Sequence, residues 1–244
     1  MRNIRLDLCY DGTRYRGWQR LPGVDNTIQG KLEQTLSRIL GEPIEISGSG
    51  RTDAGAHAAG QVANFHCEST MPCPEILSQL RRYLPEDIGV YSVRDTHDRF
   101  HARLNARRKT YRYRIWNSEA PCVFQRKFLY ILPDVLDVEE MQAAAEYFLG
   151  EHDFSAFCAN KKMKKSTVRR VDTLRIIRQG EEIVMDVTGN GFLYNMVRIM
   201  VGTLIEVGRG ERPVESIPTL FGAKREAAGH LVPAQGLCLM EVEY

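Results

Sequence analysis

Three short segments carry residue types able to do chemistry. The first is Ser47-Gly48-Ser49-Gly50-Arg51-Thr52-Asp53-Ala54-Gly55-Ala56-His57-Ala58, which lies between two predicted strands and is rich in residues that permit tight turns. A carboxylate on such a loop, Asp53, is held close to backbone and exposed to a ligand. The plain alternative is an Asx-turn, in which Asp53 only bonds its own backbone. A phosphate-cradling P-loop fails because no G-x-x-x-x-G-K-[ST] is present. A metal site built on Asp53 and His57 lacks a further His or acid nearby.

The second segment is Lys109-Thr110-Tyr111-Arg112-Tyr113-Arg114. Strand alternation puts Tyr111 and Tyr113 on one face and Arg112 and Arg114 on the other. Rings that stack on unpaired bases and guanidinium groups that bond phosphates suit nucleic acid. A sheet strand with its tyrosines in the core and its arginines in solvent fits the same pattern. The third is Arg198, set among Phe192, Leu193, Met196, Val197, Ile199, Met200 and Val201. A charge in such company is costly unless it is paired or snorkels to solvent. Asp53 is the candidate partner.

These side chains need a scaffold, and composition bounds it. The 244 residues are 43% hydrophobic and 26% charged, an ordinary globular balance that excludes a disordered, collagen-like or coiled-coil chain. Net charge is only +2, yet Arg99–Arg114 and Lys161–Arg170 hold thirteen of the 33 basic residues and no acid. Two concentrated basic windows suit a polyanion. Six cysteines without a C-x-x-C pair read as reduced thiols of a cytoplasmic protein; His66, Cys67 and Cys73 are a weak zinc pattern. The start MRNIRLDLCYDG lacks the apolar stretch of a signal peptide, and Asn195, Arg198 and Glu206 interrupt the most apolar segment, Phe192–Val207. No membrane span is expected.

Ile4, Leu6, Leu8 and Tyr10 alternate as a strand. Asn26 or Thr27 caps a helix striped by Ile28, Leu32, Leu36, Ile39 and Leu40 and ended by Gly41. Pro43–Ser47, Gln61–Cys67 and Ile88–Val93 read as strands, with a helix between Pro74 and Pro85. The second half reads the same way: a strand Lys109–Trp116, an extra one at Phe128–Leu132, and a helix capped by Asp137 and Glu140 and stopped by Gly150. A hairpin of Val168–Arg178 and Ile183–Thr188, a helix Phe192–Val207 and a strand Leu237–Tyr244 follow. Twice β-α-β-β-α-β predicts an α+β protein of two ferredoxin-like subdomains, 1–104 and 105–244, with mainly antiparallel sheets flanking a central cleft.

The run GRTDAGAHA resembles the signature loop of the TruA-type tRNA pseudouridine synthases, usually G-R-T-D-x-G-V-H-A. Arg99-Phe100-His101-Ala102-Arg103, Tyr111-Arg112-Tyr113, Gly150-Glu151-His152-Asp153-Phe154, Phe192–Arg198, Gly202–Gly210 and Pro233-Ala234-Gln235-Gly236-Leu237 look like further family segments in order. Ala56 departs from the usual Val and loosens packing beside the loop; Arg51, Thr52 and Asp53 are intact. The resemblance implies an isomerase converting uridine to pseudouridine in the anticodon arm of tRNA, at positions 38–40. It places the catalytic carboxylate on Asp53, either attacking ribose C1′ or removing a ribose proton. Arg198 falls on the family's partner for that Asp and Tyr111 on the tyrosine that stacks on the target base. Arg51 falls on the residue that helps displace the nucleotide. Arg107, Arg108, Lys109, Lys161, Lys162, Lys164 and Lys165 then hold the tRNA backbone. A homodimer is implied, and no cofactor or metal. A silent RNA-binding protein on the same fold would let Asp53 or Tyr111 drift; a hydrolase using Asp53 and His57 would need a metal.

Overall fold

The structure, a computed structural model, describes residues 1–160 and 163–244. Along the chain run β1 (Arg2–Tyr10), α1 (Ile28–Leu40), β2 (Ser47–Gly48), β3 (His57–Cys67), α2 (Cys73–Tyr83), β4 (Ile88–Thr96), β5 (Arg108–Trp116) and β6 (Tyr130–Ile131). They are followed by α3 (Val138–Glu146), β7 (Gly150–Asp153), β8 (Val168–Gln179), β9 (Glu182–Gly189), α4 (Met196–Gly208) and β10 (Leu237–Glu243). The fold is mixed α and β. Contacts divide it into two units, Met1–Arg107 with Cys238–Tyr244, and Arg108–Leu237. The sequence reading keeps the last strand with the second half. In the structure Cys238 and Leu239 pair in parallel with His57 and Ala58 of β3, which carries that segment into the first unit.

In the first unit β1 lies between β3 and β4, antiparallel to both. Its alternation is realised: Ile4, Leu6 and Leu8 are fully buried, while Arg5, Asp7 and Cys9 are half-exposed. Helix α1 starts at Thr27, whose hydroxyl accepts from the Gly30 N–H, and ends at Gly41 in the left-handed region, φ 73°. The strand expected over Pro43–Ser47 shrinks to Ser47–Gly48. Its donors are already taken, Ile44 N–H by Ser37 Oγ at 2.9 Å and Ile46 N–H by Glu33 Oε1 at 2.9 Å. Side chains of α1 thus satisfy backbone that would otherwise seek a sheet partner. β3 is longer than expected, beginning at His57, because β10 supplies a partner for its first residues.

In the second unit β5, β9, β8 and β7 form an antiparallel run in that order, and β6 joins β5 in parallel. Asp137 caps α3 by accepting from the Glu139 and Glu140 N–H groups. That helix stops at Glu146, before Gly150, because β7 occupies Gly150–Asp153. β7 has no apolar alternation to announce it; its polar residues gain order from pairing with β8. Helix α4 begins at Met196, not Phe192. Asn195 sits in the left-handed region at φ 63°, a conformation that interrupts any helix. Phe192–Asn195 is therefore a shaped lead-in to the helix.

Gly60 marks where β10 docks within the first unit. A Cβ there would stand 2.2 Å from the Met240 carbonyl oxygen, which is backbone and cannot swing away. Gly60→Ala is expected to cost about 1–3 kcal/mol of stability, read as a lower urea midpoint at unchanged m-value.

Candidate active site

Asp53 is half-buried at the tip of the loop between β2 and β3. Its carbonyl accepts from the Ala56 N–H at 3.1 Å, and Gly55 turns the chain at φ 82°, so residues 53–56 form a tight turn. A second loop, residues 11–18, grips this one through its backbone. The Trp18 N–H donates to the Thr52 carbonyl at 3.1 Å and the Gly55 N–H donates to the Tyr15 carbonyl at 3.3 Å. The approach is too close for side chains. A Cβ on Gly12 would fall 1.8 Å from the Ala56 oxygen, and one on Gly17 would fall 2.7 Å from the Thr52 oxygen.

Beneath the loop lies a buried polar network. Tyr10 Oη and Thr52 Oγ1 are hydrogen-bonded at 2.8 Å, Ser49 Oγ donates to Gln61 Oε1 at 2.6 Å, and Gln61 Nε2 donates to the Gly50 carbonyl at 3.1 Å. Residues 49–52, leading into Asp53, are thereby tied to β1 and β3. His57 belongs to the same frame: its Nδ1 accepts from the Gly12 N–H at 3.0 Å, with Asp11 Oδ1 3.2 Å from that nitrogen. Among the described residues no group of three His, Cys, Asp or Glu is placed to hold a metal ion.

In the second unit Tyr111 and Tyr113 share the buried face of β5, with 6% and 0% exposure. Tyr113 is a core residue whose hydroxyl donates to the Pro233 carbonyl at 2.8 Å. Tyr111 packs edge-on against Phe192, ring centroids 5.2 Å apart. The arginines on the other face of this strand are engaged with acids of β9: Arg112 donates to both Asp186 oxygens at 2.7 Å, and Arg114 donates to Glu182. The strand thus combines core tyrosines with cross-strand ion pairs.

Arg198, in the first turn of α4, is half-buried. Its Nε donates to the Val232 carbonyl at 2.8 Å and its Nη1 to Asn195 Oδ1 at 3.1 Å. The left-handed Asn195 and the 232–233 segment therefore set the aim of this guanidinium. Arg51 is exposed beside the Asp53 turn. Arg107 is exposed, with its N–H on the Glu243 carbonyl at 2.8 Å; Arg108 reaches Asp172 at 3.1 Å; Lys109 is half-buried on β5. Lys164 and Lys165 are exposed, and Lys161 and Lys162 lie outside the described residues.

Sequence reasoning passed over the residues that hold the Asp53 loop: Tyr10, Gln61, Gly12 and Gly17. A signal exists for the two glycines, which recur in Tyr10-Asp11-Gly12-Thr13-Arg14-Tyr15-Arg16-Gly17-Trp18.

Tyr10→Phe leaves Thr52 and Gln61 short of a buried partner and is expected to cost about 1–3 kcal/mol, measured by urea unfolding. Burial also drives the Tyr10 and Tyr113 phenols far above the usual tyrosine range. The folded protein keeps them protonated while the unfolded chain ionises near pH ~10. The unfolded chain then binds fewer protons, so stability falls as pH rises through that value. Thermal unfolding from about pH 9 to about pH 11 should show a declining midpoint.

The family model described as tRNA pseudouridine synthase matches residues 9–105 and 144–244. The tRNA pseudouridine synthase A 2 of Bacillus cereus is 47% identical over 245 residues, covering 100% of both chains. The tRNA pseudouridine synthase A of Bacillus sp. strain KSM-64 is 46% identical and that of Acetivibrio thermocellus 43%, each again with 100% of both chains covered. With its signature loop braced from two sides and its relatives matched end to end, the chain belongs to the tRNA pseudouridine synthase family.

Proposed function

We propose that this protein isomerises uridine to pseudouridine at positions 38–40 in the anticodon arm of tRNA. The observation that carries the reading is the Asp53 turn, clamped by the backbone of residues 11–18 and by the Tyr10–Thr52 hydrogen bond. An acid held this firmly keeps its position while a nucleotide is drawn out of its stack, an extrusion that costs a few kcal/mol. In the reaction the N1–C1′ bond breaks, the base turns, C5 bonds to C1′, C5 loses its proton and N1 takes one up. Substrate and product have the same atoms.

Asp53 serves as an ionised carboxylate, either forming a bond to C1′ or taking a ribose proton. Arg198 is the cation that balances the charge of this carboxylate. Asn195 and the Val232 carbonyl supply its orientation. Tyr111 stacks on the target base, its ring angle set by Phe192. Arg51 enters the place the nucleotide leaves. Arg107, Arg108, Lys109, Lys161, Lys162, Lys164 and Lys165 hold the phosphate backbone, with little base-specific readout.

The same reading takes the protein as two ferredoxin-like subdomains flanking a catalytic cleft, the first contributing Asp53 and the second contributing Tyr111 and Arg198. The strand order β4-β1-β3-β2 of the first part supports this description. It also takes the enzyme as a cytoplasmic homodimer that needs no metal or cofactor.

Purified protein incubated with unmodified tRNA transcript, without added metal or cofactor, should convert anticodon-arm uridines, mapped by chemical adduct or mass spectrometry. Asp53→Asn should abolish conversion while tRNA binding stays within about tenfold, ~1.4 kcal/mol. Conversion near the unmutated rate would remove Asp53 from the role assigned to it.

A further inference from the structure

Several arginines of the second unit are paired with carboxylates within it. Arg108 and Arg170 share Asp172, Arg112 takes Asp186 and Arg114 takes Glu182. Arg169 differs. It is half-buried on β8, opposite His152 of β7, and among the described residues no carboxylate pairs with it. Its Nη1 donates to two carbonyls, Ser166 at 3.0 Å and Val168 at 2.6 Å. Those bonds fix the plane of the guanidinium and leave its Nε–Nη2 edge without a hydrogen bond among the described residues. Burial lowers the affinity of this group for its proton, with only the Cys158 thiol acting in the other direction. A desolvated cation with no counter-charge is a standing electrostatic cost to the free protein.

The open edge has a definite neighbourhood. Nε lies 4.0 Å from the point where a Cβ on Gly191 would stand. The adjoining residues fold back toward β5. Phe192 Cζ lies 3.4 Å from the Cβ point of Gly189, and the same ring packs edge-on against Tyr111. The loop is pinned to the Arg169–Arg170 stretch at its other side, where Asn190 N–H donates to the Arg170 carbonyl and Arg170 N–H donates to Asn190 Oδ1, at 3.1 and 3.0 Å. A guanidinium with two parallel N–H bonds free is the shape that takes two oxygens of a phosphate. Its distance from Tyr111 is bridged by one short loop, so an anion seated there belongs to a nucleotide close to the one that meets the ring.

We propose that Arg169 is a substrate-positioning residue, its Nε–Nη2 edge clamping one backbone phosphate of the RNA near the nucleotide that engages Tyr111. This inference rests on the function proposed above and adds Arg169 to the residues assigned there to the phosphate backbone.

The test compares Arg169→Gln and Arg169→Lys with the unmutated protein, using unmodified tRNA transcript. Each loss of a phosphate contact lowers the slope of log K against log salt by about 0.7–0.9. R169Q should show that decrease, weaker binding, and a thermal midpoint equal to or above that of the unmutated protein without RNA. R169K should keep the salt slope yet lose turnover at saturating tRNA, because a point charge cannot reproduce the fork. A residue that merely supports the fold would lower the R169Q midpoint and leave the slope alone, which would overturn the proposal. So would full turnover of R169K. If the unmutated protein neither binds nor converts the transcript, the proposed function fails and this inference with it. Conversion by the unmutated protein with an unaltered R169Q slope defeats the inference alone.

Discussion

The first unit depends on two peptide backbones lying closer together than side chains allow. Gly12 and Gly17 press onto the carbonyls of Ala56 and Thr52, and no other residue type could occupy either position without moving the loop that carries Asp53. Backbone contact is a stiff support because it has no rotamers to explore. Hydrogen bonds then lock the approach: Trp18 to Thr52, Gly55 to Tyr15, and Gly12 to the buried His57. The Tyr10, Thr52, Gln61 and Ser49 network satisfies the polar groups that this compact arrangement takes out of water. A half-buried acid thereby stands on a rigid base, the condition for a carboxylate that must stay in place during chemistry.

Charge in the second unit follows a different logic. A run of basic residues looks like a single patch in one dimension, yet the sheet sorts it. Register places Arg112 opposite Asp186, and Arg114, opposite Val184, reaches diagonally to Glu182, so these cations stabilise the sheet. Arg108 and Arg170 meet at Asp172. What remains for an external anion is set by where acids fall on the neighbouring strand. That distribution is a property of pairing, invisible in the count of lysines and arginines.

Much of this was legible in the sequence, for physical reasons that differ by element. β1 and α1 announce themselves because their burial is periodic and their ends carry Thr27 and Gly41. β7 was silent because its four polar residues are ordered by β8 and not by their own pattern. The strand expected over Pro43–Ser47 was lost to side chains of α1, a tertiary competition for hydrogen bonds that local propensity does not contain. The lead-in to α4 was misread because its apolar residues suit a helix, while Asn195 turns left-handed. At the candidate site, the Asp53 loop stood out by composition, and Tyr113 proved to be core as alternation suggests. Gln61 and Tyr10 did not stand out: each is one polar group in an apolar strand, and its value appears only when the partner 51 positions away is brought beside it.

β3 also has a consequence for how the protein is made. Its first residues, His57 and Ala58, leave the acid-bearing turn directly and find their parallel neighbours only in Cys238 and Leu239. On the ribosome the turn is therefore synthesised long before one flank of its stem can be closed. Until that late segment emerges, a nascent chain exposes an unpaired edge immediately downstream of its reactive acid. Closure of that flank is thus timed by the far end of translation, and a chain stalled before Cys238 would hold every residue of the signature without the parallel strand beside its stem.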